Sequence, residues 1–253
     1  MLQVKNLLVS FGELIALFVQ RFEVADKELR VVIGPNGAGK STLMDVLCGK
    51  TQPNSGSALF NGVELIGKSE LEIAELGVGR KFQKPSIFDG LTVYDNLLLG
   101  LRCKKDVFHS MFFRLSPMQR DKLMFTAERV GLKDHLNVKA GALSHGQKQW
   151  LEIAIVLLQD PKLLLIDEPA AGMSDSETKK TGDLLIELGK EHSVIVIEHD
   201  MHFVEQIAQE KVSVLVRGSI LTEGTFQQVK NDPDVIGCYL GSPDSAQMRN
   251  MRV

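Results

Sequence analysis

"VVIGPNGAGKST", Val31 to Thr42, passes from an apolar run into a glycine-rich loop and then into the start of an apolar helix, "LMDVL". Gly34, four intervening residues, then Gly39, Lys40 and Ser41 have the spacing of a phosphate-binding P-loop. The glycines let the backbone curl so that several N–H groups converge on phosphate oxygens, and the following helix presents its positive N-terminal end. Gly34, Pro35, Asn36, Gly37, Ala38, Gly39, Lys40, Ser41 and Thr42 are therefore the candidate nucleotide-binding loop. Lys40 is placed to reach the β- and γ-phosphates, and Ser41 to ligate Mg²⁺.

A second stretch supports this reading. "LLLIDE" aims Asp167 and Glu168 at the carboxyl end of a buried strand, where open α/β sheets bind their ligands. Asp167 is a candidate for holding Mg²⁺, and Glu168 for orienting or deprotonating an attacking water. Such a pair alone is an ordinary strand end; with a P-loop it points to a nucleotide hydrolase.

The surrounding pattern predicts an α/β fold. Leu29 to Ile33, Leu163 to Ile166 and Val194 to Ile197 read as continuously apolar strands, with helices over Ser176 to Lys190 and around Phe203 to Ala208, so a mostly parallel sheet covered on both faces is expected. Leu2 to Val9 is a further strand. "SALFNGVEL", Ser57 to Leu65, reads as a hairpin turning at Asn61-Gly62, and Val212 to Thr222 as another around Arg217-Gly218. Apolar residues at helical spacing from Val93 to Leu158, broken near Arg114 to Asp121, predict an inserted helical lobe over about 90–160. One domain over 1–241 is expected, with a loose tail over 242–253.

Composition narrows the class. A chain of 253 residues with 44% hydrophobic content can bury a substantial core, and a net charge of -3 gives no footprint of a nucleic-acid binder. Cys48, Cys103 and Cys238 are too few and too scattered for a disulfide framework, which fits a reduced cytoplasmic setting. Lys5, Asn6, Ser10 and Glu13 interrupt the N-terminal apolar residues, and no run of about 18 apolar residues could span a bilayer. Work at a membrane would therefore need another chain to cross it.

"LSHGQ" at Leu143 to Gln147, just before "LLLIDEP", resembles the signature segment of ABC-type ATPases, and Phe11 in "VSFG", Gln83 in "GRKFQKPSIF" and His199 in "VIVIEHDM" follow the same family's order. The resemblance covers Leu2 to Gly241. It implies a P-loop NTPase fold with an antiparallel β subdomain and an inserted helical subdomain. It also implies ATP and Mg²⁺ as cofactors, with Phe11 stacking on adenine, Gln83 touching Mg²⁺ and the attacking water, and His199 contacting the γ-phosphate beside Glu168. Ser144, Gly146 and Gln147 would contact ATP bound to a second ATP-binding subunit: Ser144 as N-cap, Gly146 permitting close approach, the helix end attracting phosphate. Leu151, Ala154, Ile155 and Leu158 would pack that helix to its lobe through one face, and Trp150 reads as packing.

Two departures mark the subfamily: His145 where Gly is commonest, and Ser174 at the usual aspartate position after the acidic strand. The second leaves open whether the usual contact across the dimer forms there. "LRCKKDVFHSMFFRLSPMQRDKL" resembles the insert of branched-chain amino acid importer ATPases. "LSHGQKQWLEI", "DEPAAGMS" and "DVIGCYLG" resemble most the ATP-binding subunits of bacterial urea importers. The implied function is ATP-driven uptake of urea, with branched-chain amino acids or short amides as the alternative. The implied partners are membrane-spanning permease subunits, a second cassette and, indirectly, a solute-binding protein, at the cytoplasmic face of the membrane. Phe108, Met111, Phe112 and Phe113 would form a buried helix face rather than a membrane-partner contact. A soluble ABC ATPase acting on ribosomes or DNA is the reading from another class. No second cassette, long coiled-coil insert or basic excess supports it.

Overall fold

The computed structural model describes residues 1–81, 87–101 and 115–240. Gln83, the Phe108 to Phe113 cluster, Cys103 and the 242–253 tail lie outside the described residues.

The N-terminal third forms a four-stranded antiparallel sheet, ordered β2-β1-β4-β5 from β1 (Leu2–Phe11), β2 (Leu14–Val24), β4 (Ser55–Phe60) and β5 (Val63–Glu64). Asn61 at φ 50° and Gly62 at φ 80° make the β4–β5 turn, as the Asn-Gly signal requires. The second sheet has six strands, ordered β10-β9-β3-β8-β7-β6. They are β3 (Leu29–Ile33), β6 (Val78–Lys81), β7 (Leu163–Asp167), β8 (Ser193–Ile197), β9 (Lys211–Val216) and β10 (Ser219–Gly224). All pairings in it are parallel except β9 with β10, so the mostly parallel core, the antiparallel β subdomain and the hairpin at Arg217-Gly218 are all present.

Successive side chains of a strand point to opposite faces, and here both faces are buried. Val31 and Ile33 belong to one core cluster and Val32 to the other; Leu164 and Ile166 alternate in the same way with Leu163 and Leu165. The antiparallel sheet, α1 (Lys40–Leu47) and α2 (Glu70–Leu76) cover one face. The other is covered by α3 (Val93–Gly100), α4 (Pro117–Arg129), α5 (His145–Leu157), α6 (Asp175–Gly189), α7 (Met201–Ile207), α8 (Phe226–Asn231) and α9 (Pro233–Leu240).

Two expectations are corrected. The helical stretch from Val93 to Leu158 is not continuous: between Arg129 and His145 the chain makes only two three-residue 3₁₀ turns, Lys133–His135 and Ala140–Ala142. Gly131 at φ 74° stops α4, and Leu132, Ala140 and Leu143 are buried from turns rather than from a helix. Arg120 and Asp121, expected in an interruption, lie inside α4. In addition, α5 is not amphipathic with one buried face. Trp150, Leu151, Glu152, Ile153, Ala154, Val156 and Leu157 are all buried, as in a helix that runs through a core.

Candidate functional site

Parallel pairing aligns the carboxyl ends of β3, β8, β7 and β6. Val32 pairs with Ile197, Ile197 with Asp167, and Ile166 with Lys81. Whatever follows these strands is thereby gathered on one edge of the sheet: the loop from Gly34, Glu198 and His199, Glu168, and the segment leading to Gln83.

The loop after β3 has the conformation its glycines permit. Gly37 sits at φ 76° and Gly39 at φ 97°, and a side chain on Gly39 would meet the Ala16 carbonyl oxygen at 2.6 Å. Helix α1 starts from Gly39 without a side-chain cap, so its first N–H groups remain for a ligand. A cavity of about 390 Å³ opens over it, lined by Asn36 to Thr42, by Leu14, Ile15 and Ala16, and by Glu168 and Arg217. Lys40, buried, folds back so that Nζ donates to the Gly34 and Pro35 carbonyls at 2.6 and 3.1 Å. Phe11 ends β1 at 58% exposure and is not among the lining residues. The apolar flank of the cavity is Leu14 and Ile15, both largely exposed.

Glu168 adopts φ 44°, a left-handed backbone that a glutamate rarely takes, held by its N–H donating to Ile197 O at 3.0 Å. This turns the carboxylate toward the P-loop cavity. His199 Nδ1 lies 3.2 Å from Glu168 Oε1, in ion-pair contact but outside hydrogen-bond alignment. Asp167 is buried, and burial raises its carboxyl above the ordinary range against the pull of Arg80, whose guanidinium is 3.8 Å away. Arg80 in turn pairs with Asp45 of α1.

Beneath this edge lies a charged layer that sequence reading missed. Lys81, 1% exposed, donates to the Asp167 carbonyl at 3.4 Å and is 4.0 Å from Glu152 of α5. Burial lowers its ammonium pKa, and Glu152, Asp167, Glu198 and Glu168 oppose that shift. Glu198 is equally buried and accepts from the N–H groups of Ala170 and His199; burial holds its carboxyl up at about 7. The available signals were a charge inside an apolar helix, "WLEIAIVLL", and a basic pair closing a strand, "GVGRK".

The signature residues stand apart from this cavity. Ser144 caps α5: its Oγ accepts from Gln147 N at 3.2 Å, and its N–H donates to Gln147 Oε1 at 3.0 Å. Ser144 Oγ also donates to Glu177 Oε1 at 2.8 Å, while Ser174 N and Oγ donate to Glu177 Oε2 at 3.1 and 2.8 Å. These bonds hold the Glu177 carboxyl below the ordinary range, those from Ser174 N and Ser144 foremost. Ser174, at the position of a commoner aspartate, thus caps α6. His145 Nε2 meets the Ala171 carbonyl at 3.0 Å, and Trp150 Nε1 donates to Thr181 Oγ1 at 2.9 Å, confirming Trp150 as packing.

With this geometry in view, similarity to known proteins becomes informative. The model of the ABC transporter family matches residues 19–171. This chain belongs to the ABC transporter family. It is similar to the high-affinity branched-chain amino acid transport ATP-binding protein LivG of Escherichia coli, at 37% identity over 95% of this chain and 98% of the relative. A second relative is BraF of Pseudomonas aeruginosa, of the same description, at 38% identity over 95% and 97%. Among solved structures, the ADP conformation of MJ1267, an ATP-binding cassette of an ABC transporter, superposes with a TM-score of 0.84 at 30% identity, covering 96% of this chain and 99% of that one.

The chain is accordingly an ATP-binding subunit of an ABC transporter, with ATP hydrolysis coupled to transport and membrane permeases as partners. No helix among the described residues is long and apolar enough to cross a membrane. The donor set suits a triphosphate: uncapped helix N–H groups, a lysine, a serine hydroxyl and a carboxylate gathered around one cavity.

Proposed function

We propose that this chain is the cytoplasmic-face ATPase of a solute importer, working as one of two cassettes that enclose ATP head to tail between them. The observation that carries the reading is His199 Nδ1 at 3.2 Å from Glu168 Oε1, with Glu168 forming part of the P-loop cavity wall. Asn36 to Thr42 bind the phosphates, with Gly34 and Pro35 setting the curl, and Lys40 exchanges its carbonyl partners for phosphate oxygens. Phe11, with Leu14 and Ile15 nearby, takes the adenine. Ser41, Asp167 and Gln83 would hold Mg²⁺, which neutralises phosphate charge when bound. Glu168 accepts the proton of the attacking water, and His199 keeps Glu168 and the γ-phosphate in register. The water oxygen bonds to the γ-phosphorus as the bond to the bridging oxygen breaks, leaving ADP and phosphate. Ser144, Gly146 and Gln147 act on the partner's nucleotide, and the helices over about 90–160 form the lobe that meets the permease. A solute-binding protein would deliver cargo on the far side.

Branched-chain amino acids are the better-supported solute, because LivG and BraF carry that description across nearly the whole chain. Urea is the second reading, carried by "LSHGQKQWLEI", "DEPAAGMS" and "DVIGCYLG". Uptake by cells lacking this chain separates them: a leucine, isoleucine and valine deficit is expected, and a deficit confined to urea would overturn the first reading. For the ATPase roles, Glu168→Gln in the assembled importer should keep ATP binding while hydrolysis falls about 100-fold or more; wild-type turnover would remove Glu168 from its role.

A further inference from the structure

Ser144 has one hydroxyl proton, and in this chain it is already given to Glu177. The oxygen's acceptor side is also in use, by the Gln147 N–H. A γ-phosphate offers acceptors only, so it can gain a hydrogen bond from Ser144 only by taking the proton that Glu177 holds. The carboxylate also occupies the space that Gly146 opens: a methyl group on Gly146 would lie 2.6 Å from Glu177 Oε1. The close approach allowed by that glycine is therefore taken up by an anion of the same chain. Ser174 keeps the carboxylate there through two hydrogen bonds to its other oxygen.

We infer that Glu177 is an intrachain competitor for the signature segment, a carboxylate standing where the partner cassette's phosphate must arrive and setting the ATP concentration at which two cassettes close. This deepens, and rests on, the reading of Ser144 and Gly146 as the contact to the partner's nucleotide. Two anions sharing one hydroxyl repel, so closure requires the Ser144–Glu177 bond to break and the carboxylate to swing out. Ser174 keeps a swung-out Glu177 near, so the contact re-forms when phosphate leaves and favours reopening.

The test uses the importer assembled with its own second cassette and permeases, with steady-state ATPase measured against ATP concentration. Glu177→Gln keeps an acceptor and a capping residue at the same helix position but removes the charge; Glu177→Ala removes both. Helix α6 remains anchored in both variants through buried Leu184, Leu185 and Leu188. The ATP concentration at half-maximal rate should fall roughly three- to tenfold in Glu177→Gln, the worth of one lost competing bond, with kcat changed less. An unchanged or raised half-maximal concentration in both variants would overturn the inference, since a residue that merely supported the fold could only weaken ATP use. Ser144→Ala in the same assembly tests the underlying reading separately. If it leaves the ATP dependence untouched, the signature role fails, whereas a clear loss there with no gain at Glu177 defeats the competitor alone.

Discussion

Replacing Lys81 by methionine would remove the one cation that the described structure buries among Glu152, Asp167, Glu198 and Glu168. Methionine has nearly the length and volume of the lysine stem, so β6 and its packing against α5 stay filled and the change isolates the charge. Lys81 is 1% exposed and Glu152 4%, so water cannot readily take over the lost pairing. Breaking a buried pair from one side costs about 3–5 kcal/mol, because the remaining charge stays desolvated. For a chain of this size that corresponds to roughly 6–20 °C in Tm. Urea or thermal unfolding of the purified chain, read by far-UV circular dichroism, measures it. The cycle is completed by Lys81→Met with Glu152→Leu, which should recover more than half of the loss, since removing both charges leaves no ion stranded. Stability of the single variant within about 1 kcal/mol of wild type, or a double variant no better than the single one, would refute the reasoning.

Two further outcomes follow from the same edge of the sheet. Glu198 keeps its proton up to about pH 7 in the fold against an ordinary value of 4.5, so the unfolded chain ionises first and stability is lost as pH rises through that interval. Glu198→Gln should therefore gain about 2–3 kcal/mol relative to wild type between pH 5 and pH 8, and a pH-independent difference in urea unfolding would show that the carboxyl is not held protonated. Gly39→Ala would force an alanine to φ 97° with its methyl against the Ala16 carbonyl, so the loop must shift. Nucleotide titration should show at least about tenfold weaker ATP binding, consistent with 1–3 kcal/mol of backbone strain; wild-type affinity would mean that the loop's curl is dispensable.

What could be read from the sequence was local. Gly34 to Thr42 lies within a single strand–loop–helix unit, and the Asn61-Gly62 and Arg217-Gly218 turns declare their hairpins by needing positive φ. Strand β2 was missed because Leu14, Ile15 and Phe18 are apolar yet exposed, which blurs the alternation that Leu17, Val19, Phe22 and Val24 would have given. The break after α4 was missed for the converse reason: Leu132, Leu136, Val138 and Leu143 recur at intervals a helix could use, while the chain buries them from turns. Lys81 with Glu152 and Ser144 with Glu177 were beyond reach, because each pair is made by tertiary packing between separate elements and neither partner stands in a motif of its own.

These two pairs share helix α5, and that arrangement bears on how the cassette works. Ser144 stands at the first turn of α5 and Glu152 eight residues later, about 12 Å along the axis at 1.5 Å per residue. The first is bonded to Glu177, beyond the acidic strand; the second faces Lys81, which also holds the Asp167 carbonyl at the end of that strand. Trp150, between them, donates to Thr181 on the same helix as Glu177. A close-packed helix pinned at three points cannot deform smoothly; it shifts as a unit or one of its contacts gives way. The exposed contact at Ser144 has the least to hold it, whereas Glu152 and Trp150 are enclosed. Release of Glu177 is thus the step at which α5 can answer an arriving phosphate without disturbing the charged layer beneath Asp167 and Glu168. The contact offered to the partner's nucleotide can then change while the carboxylates serving this chain's own nucleotide stay in place.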